Sequence, residues 1–138
     1  MLSFNITVFS VFCFLFLCGD AFAQRMTDAA FKTIAYIKSD GTIQDASFRI
    51  TGYFKEDGTV QDSSFRTIGY LKDNGTVQDA WFRIIGYVKE HGAVQDSGFR
   101  IIGYVRKNGT VTDASFRTLG YAENVTKTWA AFCFFFMK

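Results

Sequence analysis

Five arginines stand 17 residues apart, Arg49, Arg66, Arg83, Arg100 and Arg117, with Lys32 in the sixth place. A guanidinium is a rigid fork of donors that suits phosphate or carboxylate. Held at one height, these cations would form a ring able to contact anions or lipid headgroups. Each arginine also follows an aspartate by four residues, from Asp45 and Arg49 to Asp113 and Arg117, so ion pairs that fix a turn account for the same spacing. All six tyrosines share the interval, and Tyr53, Tyr70, Tyr87 and Tyr104 occupy its most regular part. They form a candidate interface belt, since tyrosine suits the boundary between apolar and wet surroundings; packing on an amphipathic strand explains them equally.

Catalysis finds little to use. Acid/base or nucleophilic chemistry needs a nucleophile beside a base, or carboxylates in different environments. The one histidine, His91, takes a slot that Asp40, Asp57, Asn74 and Asn108 fill elsewhere, and the carboxylates recur symmetrically. The expectation is a non-enzyme with no cofactor. No metal site is expected either, because Lys72 to Asp79 (KDNGTVQD) has too few carboxylates and lacks the ligand spacing of a calcium loop.

The interval that orders these residues belongs to a repeat, G-Y-φ-K-x-[DNH]-G-T-V-Q-D-x-x-F-R-x-φ, without insertion or deletion. Fixed periods of this size signal stacked supersecondary units. Gly41, Gly58, Gly75, Gly92 and Gly109 each follow Asp, Asn or His. Such dipeptides populate the positive φ of tight hairpin turns, so each repeat reads as a β-hairpin. Its long arm runs from Phe48 to Lys55 and its short arm from Thr59 to Asp62, with counterparts in the other copies.

A second register, Gly52, Gly69, Gly86, Gly103 and Gly120, lies inside the long arm, where glycine weakens a strand. A costly choice made five times implies close approach or a bend. With alternating side chains, Phe82, Ile84, Gly86 and Val88 share a wholly apolar face, which is assigned inward; a bulge at glycine would reverse that phase. After Tyr121 the pattern stops, and Trp129 to Met137 (WAAFCFFFM) follows. As a helix these residues reach about 13 Å, under half a bilayer core. A short segment apolar on all sides is expected to be buried all round. Trp129, Phe132, Phe134, Phe135 and Phe136 therefore read as a plug.

Five hairpins and a half-repeat can stack into an open solenoid or curl into a ring. The ring removes free edges and leaves a centre to fill. The expected fold is all-β: a closed shallow barrel of five 17-residue hairpins, plugged by an apolar, helical C-terminal segment. Prolines are absent, where about seven would be usual, as suits strands whose N–H groups are all needed.

Residues 1–23 read as a signal peptide, with an apolar run Val8–Cys18 and then Ala21-Phe22-Ala23 before Gln24. The run is shorter than the ~18 to 20 residues of a membrane span. A retained anchor and a lipoprotein acylated on Cys18 are the alternatives. Residues 24–121 then form the hairpin barrel and 122–138 the plug. Cleavage leaves Cys133 alone, without a disulfide partner, as a small buried hydrophobe. It also leaves 15 cations against 12 anions, a balance of +3 too mild for a nucleic-acid binder.

The repeat unit, clearest from Tyr53 to Tyr104, and the tail Trp129–Met137 resemble the β-flower proteins, shallow rotationally symmetric barrels of repeated hairpins best known in a four-fold form. The likeness spans residues 27–137 and departs from that form in having five hairpins. It implies a barrel similar in outline to the Tubby C-terminal domain and the phospholipid scramblases, where a hydrophobic helix threads the barrel. It carries no catalytic residues. The function expected is binding or structural work in an exported protein, secreted, periplasmic or held at the cell envelope, with membrane lipid as partner. The rival is an open hairpin solenoid that binds carbohydrate or wall polymer.

Overall fold

The computed structural model describes residues 24–137. The export segment and Cys18 lie outside the described residues. Six long arms, β2 (Thr33–Ile37), β4 (Ile50–Phe54), β6 (Thr67–Leu71), β8 (Ile84–Val88), β10 (Ile101–Val105) and β12 (Thr118–Glu123), alternate with six short arms. The short arms are β1 (Arg25–Asp28), β3 (Thr42–Gln44), β5 (Thr59–Asp62), β7 (Thr76–Asp79), β9 (Ala93–Asp96) and β11 (Thr110–Asp113). Each strand pairs with its neighbours in the chain, and β1 pairs antiparallel with β12, closing the barrel. The open solenoid is thereby excluded. The last strand runs two residues past Tyr121, so barrel ends and plug begins later than the repeat pattern implied.

Two kinds of turn join the arms, and they share one hydrogen-bond plan. In the first, the Gly41 N–H donates to the Lys38 carbonyl at 2.9 Å and the Lys38 N–H to the Thr42 carbonyl at 2.8 Å, with Gly41 at φ +93°. In the second, Phe48 N–H donates to Asp45 and Asp45 N–H to Arg49, both at 2.9 Å, with Phe48 at φ +67°. Both are three-residue loops that end in a left-handed residue. Asp40 and its counterparts are not left-handed, so the positive φ falls on the glycine alone. Because strands alternate in direction, the glycine turns share one rim of the barrel and the aspartate turns the other.

The Phe82/Ile84/Gly86/Val88 face expected to point inward does not do so along its whole length. Pairing across β7 and β8 runs Gln78 to Ile84 and Val77 to Gly86, so Ile85 is an extra residue and the strand bulges there. The same shift recurs in the other long arms. A bulge reverses the alternation. Gly86 and Val88 point inward, whereas Ile84 is exposed and Phe82 lies outside in the turn that precedes the strand. The long arm thus starts at Ile50, not Phe48.

Six equivalent positions surround the axis, and five are closed by glycine turns. At the sixth, β12 meets β1, and Arg25 and Glu123 are paired at 2.7 Å where the other positions have a covalent turn.

The chain then enters the barrel as α1 (Lys127–Ala131) and a π-helical segment, Phe132–Phe136, closed by the Met137 N–H to Phe132 carbonyl bond at 2.8 Å. All five predicted plug residues lie in the centre. Trp129 stacks on Phe54 at 4.9 Å, and Phe132 meets Phe54 edge-on at 6.0 Å. The glycine belt explains itself here: a Cβ on Gly69, Gly86, Gly103 or Gly120 would lie 2.4–3.2 Å from the ring of Phe132, Phe136, Phe135 or Phe134, respectively. On those four strands glycine makes room for an aromatic ring of the plug; at Gly52 no plug ring is near, and the Gln61 carbonyl, 2.5 Å from the place a Cβ would take, sets the requirement. Gly86 also lies close to the neighbouring strand, with the Gln95 carbonyl 2.5 Å from the place a Gly86 Cβ would take.

Candidate functional site

The aspartate-turn rim gathers the predicted arginines and tyrosines. In each turn the aspartate is tied down before the arginine reaches it. The Asp45 Oδ1 accepts the N–H of Ser47 at 2.8 Å and of Arg49 at 3.0 Å, and Oδ2 accepts the Arg49 Nε–H at 3.1 Å. The arrangement repeats at Asp62, Asp79, Asp96 and Asp113, with Nε to Oδ2 distances of 2.8–3.1 Å. Backbone N–H donation from the following arginine holds the carboxyls of Asp45, Asp62, Asp96 and Asp113 below the usual carboxylate range. At the sixth turn, Asp28 Oδ1 accepts the Lys32 N–H at 2.9 Å.

The two readings of the arginines are therefore compatible. The ion pair runs through Nε, and among the described residues the Nη nitrogens make no hydrogen bond. The arginine side chains are 72–86% exposed. The aspartate orients the guanidinium, and the two-nitrogen end of the fork stays open for an anion. Exposed pairs of this kind add little stability, so their main physical effect is orientation.

The tyrosines are half-buried on the outer wall. Tyr36, Tyr53, Tyr70, Tyr87 and Tyr104 each stack on the phenylalanine of the next aspartate turn, and Tyr121 stacks on Phe31 across the seam. Centroids lie 4.7–5.1 Å apart with rings 7–16° from parallel. The belt is thus built from Tyr–Phe pairs, and the outer half of each is the phenylalanine, 59–69% exposed. These six phenylalanines, assigned inward from the strand pattern, are the surface residues that reasoning missed. The signal was present: Phe48 follows Asp45 by three residues and Gly41 follows Lys38 by three, the same place in two turns of one design. Trp81, in the β7–β8 turn, was likewise not singled out for this rim.

The opposite rim carries grooves around the entry of α1. One cavity of about 570 Å³ is bordered by His91, Arg106, Lys107 and Lys127 together with Glu90 and Glu123. The His91 Nδ1 accepts the Ala93 N–H at 3.4 Å, as Asp40 Oδ1 accepts Thr42 N–H at 2.9 Å, which is the turn role expected of it. Burial pushes the Cys133 thiol up to about 12, which leaves it a packing residue and a poor nucleophile.

A closed antiparallel barrel of repeated hairpins around a helical plug defines the class of this molecule. Within that class the chain belongs to the family described as the 5-fold beta-flower protein, whose model matches residues 23–138. The five covalent glycine-turn hairpins agree with that description. No curated protein and no solved structure matches the chain.

Proposed function

We propose that this is a non-catalytic, exported protein of the cell envelope that binds the surface of an anionic membrane through its aspartate-turn rim. The observation that carries the reading is the interleaving there of six exposed phenylalanine rings with five guanidiniums whose Nη ends are open. An apolar ring beside a cation that can take phosphate is the combination a headgroup layer accommodates. Five arginines at about 1 kcal/mol each would give only sub-millimolar, reversible attachment, so the aromatic contacts have to supply the rest.

The contact is with a surface. Strands of 3–6 residues are shorter than the ~9 to 11 that cross a bilayer in a barrel, and no described helix is long and apolar enough to cross.

The test is sedimentation of the protein with phosphatidylglycerol-containing vesicles, with phosphatidylcholine vesicles and with insoluble glycans. Binding to the anionic vesicles that weakens with salt and is lost in an Arg66→Gln, Arg83→Gln, Arg100→Gln variant is expected. Saturable binding to glycan but not to vesicles would overturn the reading, since exposed aromatic faces also stack on sugars.

A further inference from the structure

In a repeat this regular, a departure at an exposed tip needs a cause other than folding. Two residues after the turn aspartate, five turns carry Ala30, Ser47, Ser64, Gly98 and Ser115; the β7–β8 turn carries Trp81. The backbone makes no use of the indole. Trp81 N–H donates to Asp79 Oδ1 at 2.9 Å just as the Ser64 N–H donates to Asp62 at 2.9 Å. The side chain is 74% exposed, more than any other large apolar side chain among the described residues. Its ring contact is with Arg83, whose Cζ sits 5.4 Å from the indole centroid. That arginine is in turn held by Asp79 at 2.8 Å.

An indole next to an oriented guanidinium is suited to the boundary between headgroups and hydrocarbon, where tryptophan is enriched and where arginine can reach phosphate. We propose that Trp81 is the residue that enters the membrane first: the barrel docks tilted, with the β7–β8 turn leading, the indole in the headgroup layer of an anionic bilayer and Arg83 on a lipid phosphate. The equivalent position is small in the other five turns, so the indole gives the β7–β8 turn apolar surface that its siblings lack, and a tilt toward that turn lets it insert. The inference rests on the membrane reading above and adds to it the contact residue and the orientation.

The protein has two tryptophans, and the other, Trp129, is stacked on Phe54 near the opposite rim, so a change in emission that disappears in Trp81→Ser reports on Trp81. On addition of phosphatidylglycerol and phosphatidylcholine vesicles the emission shifts to the blue and brominated lipid quenches it. Trp81→Ser, which installs the residue that three sibling turns already use, keeps the fold, abolishes both signals and lowers vesicle affinity about tenfold, the effect of burying one aromatic side chain. Vesicle binding with unmoved emission, or with equal affinity in Trp81→Ser, would overturn this inference and leave the membrane reading standing. Absence of vesicle binding by the parent protein would remove both. A blue shift that grows with protein concentration and needs no vesicles would make the indole a contact between copies and overturn the inference as well.

Discussion

A phenylalanine held at φ between 67° and 70° in all six aspartate turns is an expensive choice for a position where glycine is usual. Left-handed backbone costs a residue with a Cβ about 1–2 kcal/mol. Stacking on tyrosine contributes about 0.5–1.5 kcal/mol beyond area burial, which roughly offsets the strain. The ring thus adds little net stability at its position, and its benefit lies in the surface it presents and the strand it covers. The expected outcome is unusual. Phe65→Gly, which relieves the strain as it loses the stack, stays within about 1 kcal/mol of the parent in urea unfolding. Phe65→Ala, which keeps the strained Cβ and loses the stack, costs about 1–2 kcal/mol more than the glycine variant. An alanine variant more stable than the glycine variant would contradict this account of the turn.

Among the elements, the plug is matched to the strands around it. An α-helix advances about 100° per residue, whereas six positions on a ring lie only about 60° apart, as the wider spacing of barrel strands dictates. The i to i+5 pattern of Phe132–Phe136 advances less per residue than an α-helix. That brings Phe134, Phe135 and Phe136 round to Gly120, Gly103 and Gly86, on three successive long arms. Gly103→Ala therefore meets the Phe135 ring at about 2.4 Å and the Thr112 carbonyl at 2.5 Å. The carbonyl is backbone and cannot step aside. Overpacking of this kind costs about 1–3 kcal/mol, and thermal unfolding of Gly103→Ala should show a loss at the upper end of that range; an unchanged melting temperature would show that the belt does not receive the plug.

This is also where the sequence was most and least informative. The glycine of the long arm, repeated five times at a position that normally weakens a strand, signalled close approach, and WAAFCFFFM signalled what approaches. The direction of Phe82 was not legible, because counting by twos from Phe82 through Ile84 to Gly86 ignores the one extra residue at Ile85 that the pairing with β7 inserts. Bulges follow from twist and closure, which belong to the whole sheet, so a single strand's pattern does not display them. The π-helical winding of the tail was illegible for the same reason, being set by the ring into which it fits.

At the scale of the whole molecule, hairpins that cannot bury an apolar face alone are bent into a ring whose last join is made by chain ends. At that seam the Phe31–Tyr121 stack repeats the Tyr–Phe stack of the other five positions, and the Arg25–Glu123 pair stands where they have a covalent turn. Such a ring has a hollow axis, and its stability depends on the apolar tail that fills it. Cys133 lies within that tail and reports on it directly. Burial raises the thiol to about 12 from an ordinary value of 9.0, a thiolate population on the order of a thousandfold smaller at neutral pH. The decisive measurement is maleimide labelling of the native full chain, followed by peptide mapping to separate Cys133 from Cys13 and Cys18. A seated plug predicts that Cys133 is labelled on the order of a hundredfold or more slowly than in denaturant, with its rate rising only as the strands unfold. Labelling of Cys133 at the free-thiol rate while the barrel stays folded would contradict the account.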